Sequence, residues 1–147
     1  MVNAKIKAAL FNGLDPILCV GEKQEERDAD KTREVVEGQL SGGLENMTSE
    51  QIKGLTIAYE PVWAIGTGKT ATPEQANEVH AFIRDTIRSK YDNDTAQSIR
   101  IQYGGSVNSK NAKDLLSQPE IDGALVGGAS LDSSSFLDIV SEAIRFS

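Results

Sequence analysis

The sequence holds one cysteine, one histidine and one tryptophan in 147 residues, and each scarcity removes a class of chemistry. A single thiol, Cys19, forms no internal disulfide, and one Cys with one His, His80, is too few for a zinc cluster. Cys19 lies inside the apolar run Ile17-Leu18-Cys19-Val20 and reads as a buried strand residue. Basic residues are outnumbered, 15 against 22 acidic, for a net charge of −7, which disfavours nucleic acid and anionic membrane surfaces as partners. No apolar run approaches the roughly 20 residues of a membrane span, and Met1-Val2-Asn3-Ala4-Lys5-Ile6-Lys7 lacks the apolar core of a signal peptide. No membrane partner and a cytoplasmic location are therefore expected.

What the chain does contain is an alternation of short apolar strands with amphipathic helices, the mark of βα units on a parallel sheet. Val2 to Asn12 reads as a helix closed by Gly13, and Pro16 to Val20 as the first strand. Gly21 to Arg27 reads as a charged loop, Lys31 to Leu40 as a helix broken by Ser41-Gly42-Gly43, and Ser49 to Lys53 as a short helix. Leu55 to Tyr59 is the second strand. Thr72 and Gln75 have capping-box spacing with Pro73 in the first helical position, so a long helix should run to about Lys90. Ile99 to Tyr103 is the third strand, Lys110 to Leu116 a helix, Gly123 to Val126 the fourth strand, and Ser135 to Arg145 the closing helix. With 39% apolar residues and no low-complexity linker, residues 1–147 read as a single domain able to bury roughly two thirds of its unfolded surface.

Chemistry concentrates in residues 58–73, Ala-Tyr-Glu-Pro-Val-Trp-Ala-Ile-Gly-Thr-Gly-Lys-Thr-Ala-Thr-Pro. Glu60 arrives where an apolar strand stops, the end of the sheet that carries chemistry in barrels and open α/β folds. Pro61 and Pro73 stiffen the flanks while Gly66 and Gly68 free the middle, as a hinged loop requires. An isolated Glu after a strand is ordinarily a solvated loop acid. Wedged between Tyr59 and Pro61 with Trp63 nearby, Glu60 can instead be desolvated by a closing loop, which raises a carboxylate pKa toward the range useful for taking a carbon-bound proton. Gly68-Lys69-Thr70 ends like a nucleotide-binding P-loop, but the first glycine of that motif would fall at Trp63. The glycine turns holding Gly105, Ser106, Gly127 and Gly128 suit a phosphate, which backbone N–H groups hold best where no side chain intervenes.

At this length the 58–73 segment resembles the catalytic-base and lid segment of triosephosphate isomerase. The Cys-Val-Gly-Glu strand end at 19–22, the Tyr-Gly-Gly-Ser turn at 103–106 and the Val-Gly-Gly-Ala-Ser turn at 126–130 are similar to that family in the order of its last four strands. The resemblance covers almost the full chain and implies half of a (β/α)8 TIM barrel, four parallel strands with helices, since a whole barrel needs eight strands and about 200 residues or more. It implies Glu60 as the base interconverting dihydroxyacetone phosphate and glyceraldehyde 3-phosphate; the family combines a Glu base, a neutral His electrophile and a water-excluding loop. It also implies Gly66, Ser106, Gly127 and Gly128 as the phosphate grip, and Trp63, Glu22 and Tyr103 as support for the lid, with Ser106 meeting it. Arg84 and Asp122 match a family ion pair without a catalytic part.

His80 does not match the family's catalytic histidine and reads as a surface or partly packed helix residue. The family's lysine after the first strand and histidine after the fourth have no counterpart here, and no cofactor is implied. Two readings stay open: an isomerase acting on a small phosphorylated triose, or a half-barrel module that binds phosphate or assembles without useful turnover. Either leaves unpaired strand edges, so a homo-oligomer or a complementing N-terminal half is the expected partner.

Overall fold

A computed structural model describes residues 1–67 and 69–146. Gly68, expected to free the middle of the loop, lies outside the described residues. Helix α1 (Val2–Phe11) leads into β1 (Ile17–Val20), which is followed by α2 (Gln24–Asp28), α3 (Thr32–Gly43) and α4 (Ser49–Lys53). Next come β2 (Thr56–Tyr59), α5 (Pro73–Lys90), α6 (Asn93–Ser98), β3 (Arg100–Tyr103), α7 (Ala112–Leu116), β4 (Gly123–Ala124) and α8 (Ser133–Arg145). Short 3-10 turns occupy Val62–Ala64 and Gly128–Leu131. The four strands are parallel in the order β1-β2-β3-β4, half of a (β/α)8 barrel.

Register decides which side chains meet: Val20 faces Tyr59, which faces Tyr103, and one row down Cys19, Ala58 and Gln102 align. Strand alternation sends Leu18, Val20, Ile57, Tyr59, Ile101 and Tyr103 beneath the helices, where all are buried. The opposite face carries Ile17, Cys19, Thr56, Ala58, Arg100 and Gln102; Ala58 on the middle strand is buried among its neighbours, but at the β1 edge Ile17 is 47% exposed beside Leu18 at 4%. Here the expectation for Cys19 is corrected. The thiol sits on the open face and the residue is exposed, because an apolar run does not reveal which of its alternate members faces the helices.

Three helices differ from expectation. α3 runs on through Ser41-Gly42 and ends at Gly43, where a Cβ would come within 3.2 Å of the Leu18 side chain, so that glycine also lets helix and strand approach. α6 was not anticipated, and Asp92 starts it by accepting from the Thr95 N–H at 2.7 Å. Thr72 and Gln75 do form the reciprocal capping box at the start of α5. Part of the expected charged loop at 21–27 is the helix α2. β4 stops at Ala124, two residues early.

Candidate functional site

β2 delivers Glu60 to the carboxyl end of the sheet, where its N–H donates to the Val20 carbonyl at 2.7 Å and extends the ladder by one residue. Its neighbours on the flanking strands are both glycines, and neither has room for a side chain. A Cβ on Gly21 would lie 1.9 Å from the Glu60 carbonyl oxygen, and one on Gly104 2.5 Å from Glu60 Cγ. Sequence reasoning read these glycines as turn residues and missed that they seat the carboxylate; their place immediately after two strand ends was the available signal. Glu60 is half-buried, and its Oε1 accepts from the Cys19 thiol at 3.6 Å. Partial burial of the sulfur, then the charge of Glu60 and that hydrogen bond, push the Cys19 thiol above its ordinary range.

Gly104 also borders the second part of the site. Gly66, Ser106, Gly127 and Gly128 converge on one cavity of about 370 Å³, lined further by Ile65, Val107, Asn108, Leu125 and Ala129. Gly66 has φ of +67°, which only glycine adopts freely, and Ser106 holds φ of +73°. The Ser106 carbonyl is tied down by the Asn111 amide at 3.0 Å. At Gly127 and Gly128 a Cβ would meet nothing within 4 Å, so these glycines leave space inside the cavity rather than avoid a clash within the chain.

The loop between Glu60 and α5 is held at both ends. At one end, Glu22 is fully buried and its carboxylate accepts from Trp63 Nε1 at 2.9 Å, from Arg27 at 3.1 Å and from the Tyr59 hydroxyl at 3.1 Å. Arg27 also lies over the Trp63 ring, 5.2 Å from its centroid. Burial and the Glu22 charge drive the Tyr59 hydroxyl far upward, so it stays a donor. At the other end the Tyr103 hydroxyl donates to the Gly105 carbonyl at 2.8 Å and accepts from the Ala71 N–H at 3.1 Å. A Cβ on Gly105 would strike that hydroxyl at 2.4 Å.

His80 corrects the other sequence expectation. It is fully buried, and burial lowers its pKa to about 4 despite a hydrogen bond to the Glu120 carbonyl. The error came from reading α5 alone, because the tyrosines that cover His80 belong to other strands. Arg84 and Asp122 do pair, at 2.7 Å, with Glu120 joining at 2.8 Å. Among the described residues no group of His, Cys, Asp and Glu is placed to hold a metal ion, and no helix is long and apolar enough to cross a membrane.

A carboxylate and a glycine-lined cavity at the carboxyl end of a parallel βα sheet define a (β/α)8-barrel type of site. Residues 1–143 match the family described as Triosephosphate isomerase. Proteins named triosephosphate isomerase from Chloroherpeton thalassium and Carboxydothermus hydrogenoformans are 55% and 56% identical over 97% and 98% of this chain. One from Lactobacillus helveticus is 52% identical over 95%. The chain belongs to the triosephosphate isomerase family. It spans 55–57% of the length of these relatives.

Proposed function

We propose that this chain supplies the base and phosphate half of a triosephosphate isomerase site, with Glu60 as the proton-transfer residue. The supporting observation is the seating of Glu60 against Gly104, which also borders the cavity of Gly66, Ser106, Gly127 and Gly128. A triose phosphate with its phosphate in that cavity presents its carbons toward Glu60. Glu60 takes a proton from the hydroxymethyl carbon of dihydroxyacetone phosphate, and the electron pair flows into the carbonyl to form an enediolate. The protonated Glu60 returns its proton to the adjacent carbon while a hydroxyl proton passes between the two oxygens, leaving glyceraldehyde 3-phosphate. Trp63, Glu22 and Tyr103 hold the loop that excludes water during this exchange.

The family's lysine and histidine belong to the half with no counterpart here, and loss of one oxyanion donor costs roughly a hundredfold to a thousandfold. The exposed residues of the sheet face and the edges at β1 and β4 support a complementing N-terminal half or a second copy of the chain as the source of the remainder. A coupled isomerase assay with and without an N-terminal half tests this, with Glu60→Asp as control. Rate restored by the added half and lost in Glu60→Asp is expected; turnover unaltered by Glu60→Asp sinks the role given to Glu60. A sizing measurement that finds a compact monomer at micromolar concentration counts against self-association.

A further inference from the structure

α5 turns one face toward residues 120–122, the segment that enters β4. Asn77 Oδ1 accepts from the Glu120 N–H at 3.0 Å, His80 Nδ1 lies 3.2 Å from the Glu120 carbonyl, and Arg84 pairs with Glu120 and Asp122. Spacings of three and four put these residues on one helix face. A carbonyl only accepts, so the Glu120 contact puts a proton on Nδ1, while Nε2 makes no well-formed hydrogen bond although the Ile101 backbone also bears on the ring. A buried imidazole with one open nitrogen is a costly filler where Leu or Phe would serve. What it adds over them is orientation, because the Nδ1 bond fixes the rotation of the ring.

That ring meets two others. Tyr59 lies 5.9 Å away at 84°, Tyr103 lies 6.4 Å away at 44°, and the tyrosines are 6.2 Å from each other, so the rings close a triangle. These are the tyrosines whose hydroxyls hold opposite ends of the loop, Tyr59 through Glu22 to Trp63, and Tyr103 directly to the Ala71 N–H. We propose that His80 is a positioning residue whose oriented ring fixes Tyr59 against Tyr103 and so ties both ends of the loop to one support on α5. It touches no substrate. The inference rests on the reading of residues 60–71 as a base and its covering loop. Around the ring stand Arg84 on α5, Glu120 and Asp122 before β4, Tyr59 on β2 and Tyr103 on β3.

Because His80 is the only histidine, nitrogen NMR of the unaltered chain reads its tautomer without assignment ambiguity. A neutral Nδ1–H form at pH 7 is expected, and the Nε2–H form or an imidazolium overturns the proposal. Two variants then separate orientation from filling. His80→Asn keeps a donor toward Glu120 but loses the ring, and should speed amide exchange at Ala71 about tenfold and shift the emission of Trp63, the only tryptophan. His80→Phe keeps a ring but has no Nδ1–H to orient it, and should leave both signals displaced as in His80→Asn; parent-like signals in His80→Phe mean that the ring only fills space. Ile52→Ala, on the remote α4, is the control for lost stability alone. If His80→Asn moves Ala71 and Trp63 no more than Ile52→Ala does, His80 is only filler. If His80→Asn does not fold, His80→Phe decides: signals displaced beyond those of Ile52→Ala support the proposal, and parent-like signals refute it. None of these readouts involves turnover, so failure here is distinct from failure of the isomerase reading.

Discussion

Replacing Gly104 with Ala should displace the Glu60 carboxylate while leaving the fold standing. The new methyl would lie 2.5 Å from Glu60 Cγ and 3.1 Å from its Cδ and Oε1, where ordinary contact begins near 3.4 Å, so the side chain must retreat by about 0.9 Å. Glu60 can do so by leaving its rotamer well, at about 0.5–1.5 kcal/mol. The fold should therefore lose at most about 1–2 kcal/mol. Activity is less forgiving, because a misplacement of about 1 Å at a reacting group can cost about a hundredfold. Gly21→Ala supplies the contrast, since its methyl would meet the Glu60 carbonyl oxygen at 1.9 Å and carbonyl carbon at 2.5 Å. Backbone cannot swing aside, and about 3 kcal/mol or more should be lost. Urea midpoints separate the two, and the complemented isomerase assay reads the rate. A third readout needs no turnover: with Glu60 moved, two of the influences holding the Cys19 thiol up are weakened, so its alkylation should quicken. A Gly104→Ala chain that keeps both the parent rate and the parent thiol reactivity refutes the seating of Glu60 by Gly104.

Glu22→Gln leaves Arg27 without a charged partner and replaces a three-donor acceptor by a neutral amide; about 1–3 kcal/mol of stability and a shift in Trp63 emission are expected, read by urea titration and fluorescence. His80 gives a pH dependence of fixed sign. Its pKa is 6.5 unfolded and about 4 folded, so the unfolded chain binds the extra proton between those values. Its contribution is complete above pH 6.5 and falls by about 3 kcal/mol as pH drops to 4, a slope that should disappear from urea midpoints in His80→Phe. Asp132→Ala removes the cap that accepts from the Ser135 N–H at 2.8 Å, and should cost α8 about 1 kcal/mol in thermal unfolding.

What could be read in advance divides along a physical line. The place of Glu60, the freedom of Gly66 and the Thr72 cap were legible because each is encoded within a few residues: a strand end, a loop that needs φ above zero, an N–H that needs an oxygen. The positions of Cys19 and His80 were not, because burial depends on which face of the sheet the helices cover, and register sets that between strands some forty residues apart. The same distinction explains Gly43 and Gly104. Both look like breakers in a linear scan, yet each makes room for something far off in sequence, Gly43 for the Leu18 side chain on β1 and, more stringently, Gly104 for Glu60 after β2. Local code thus marks the candidate groups, and tertiary packing decides how tightly they are held. It follows that substitutions at packing glycines and at His80 should degrade the geometry of the site more than its composition, lowering rate while leaving every residue of the motif in place.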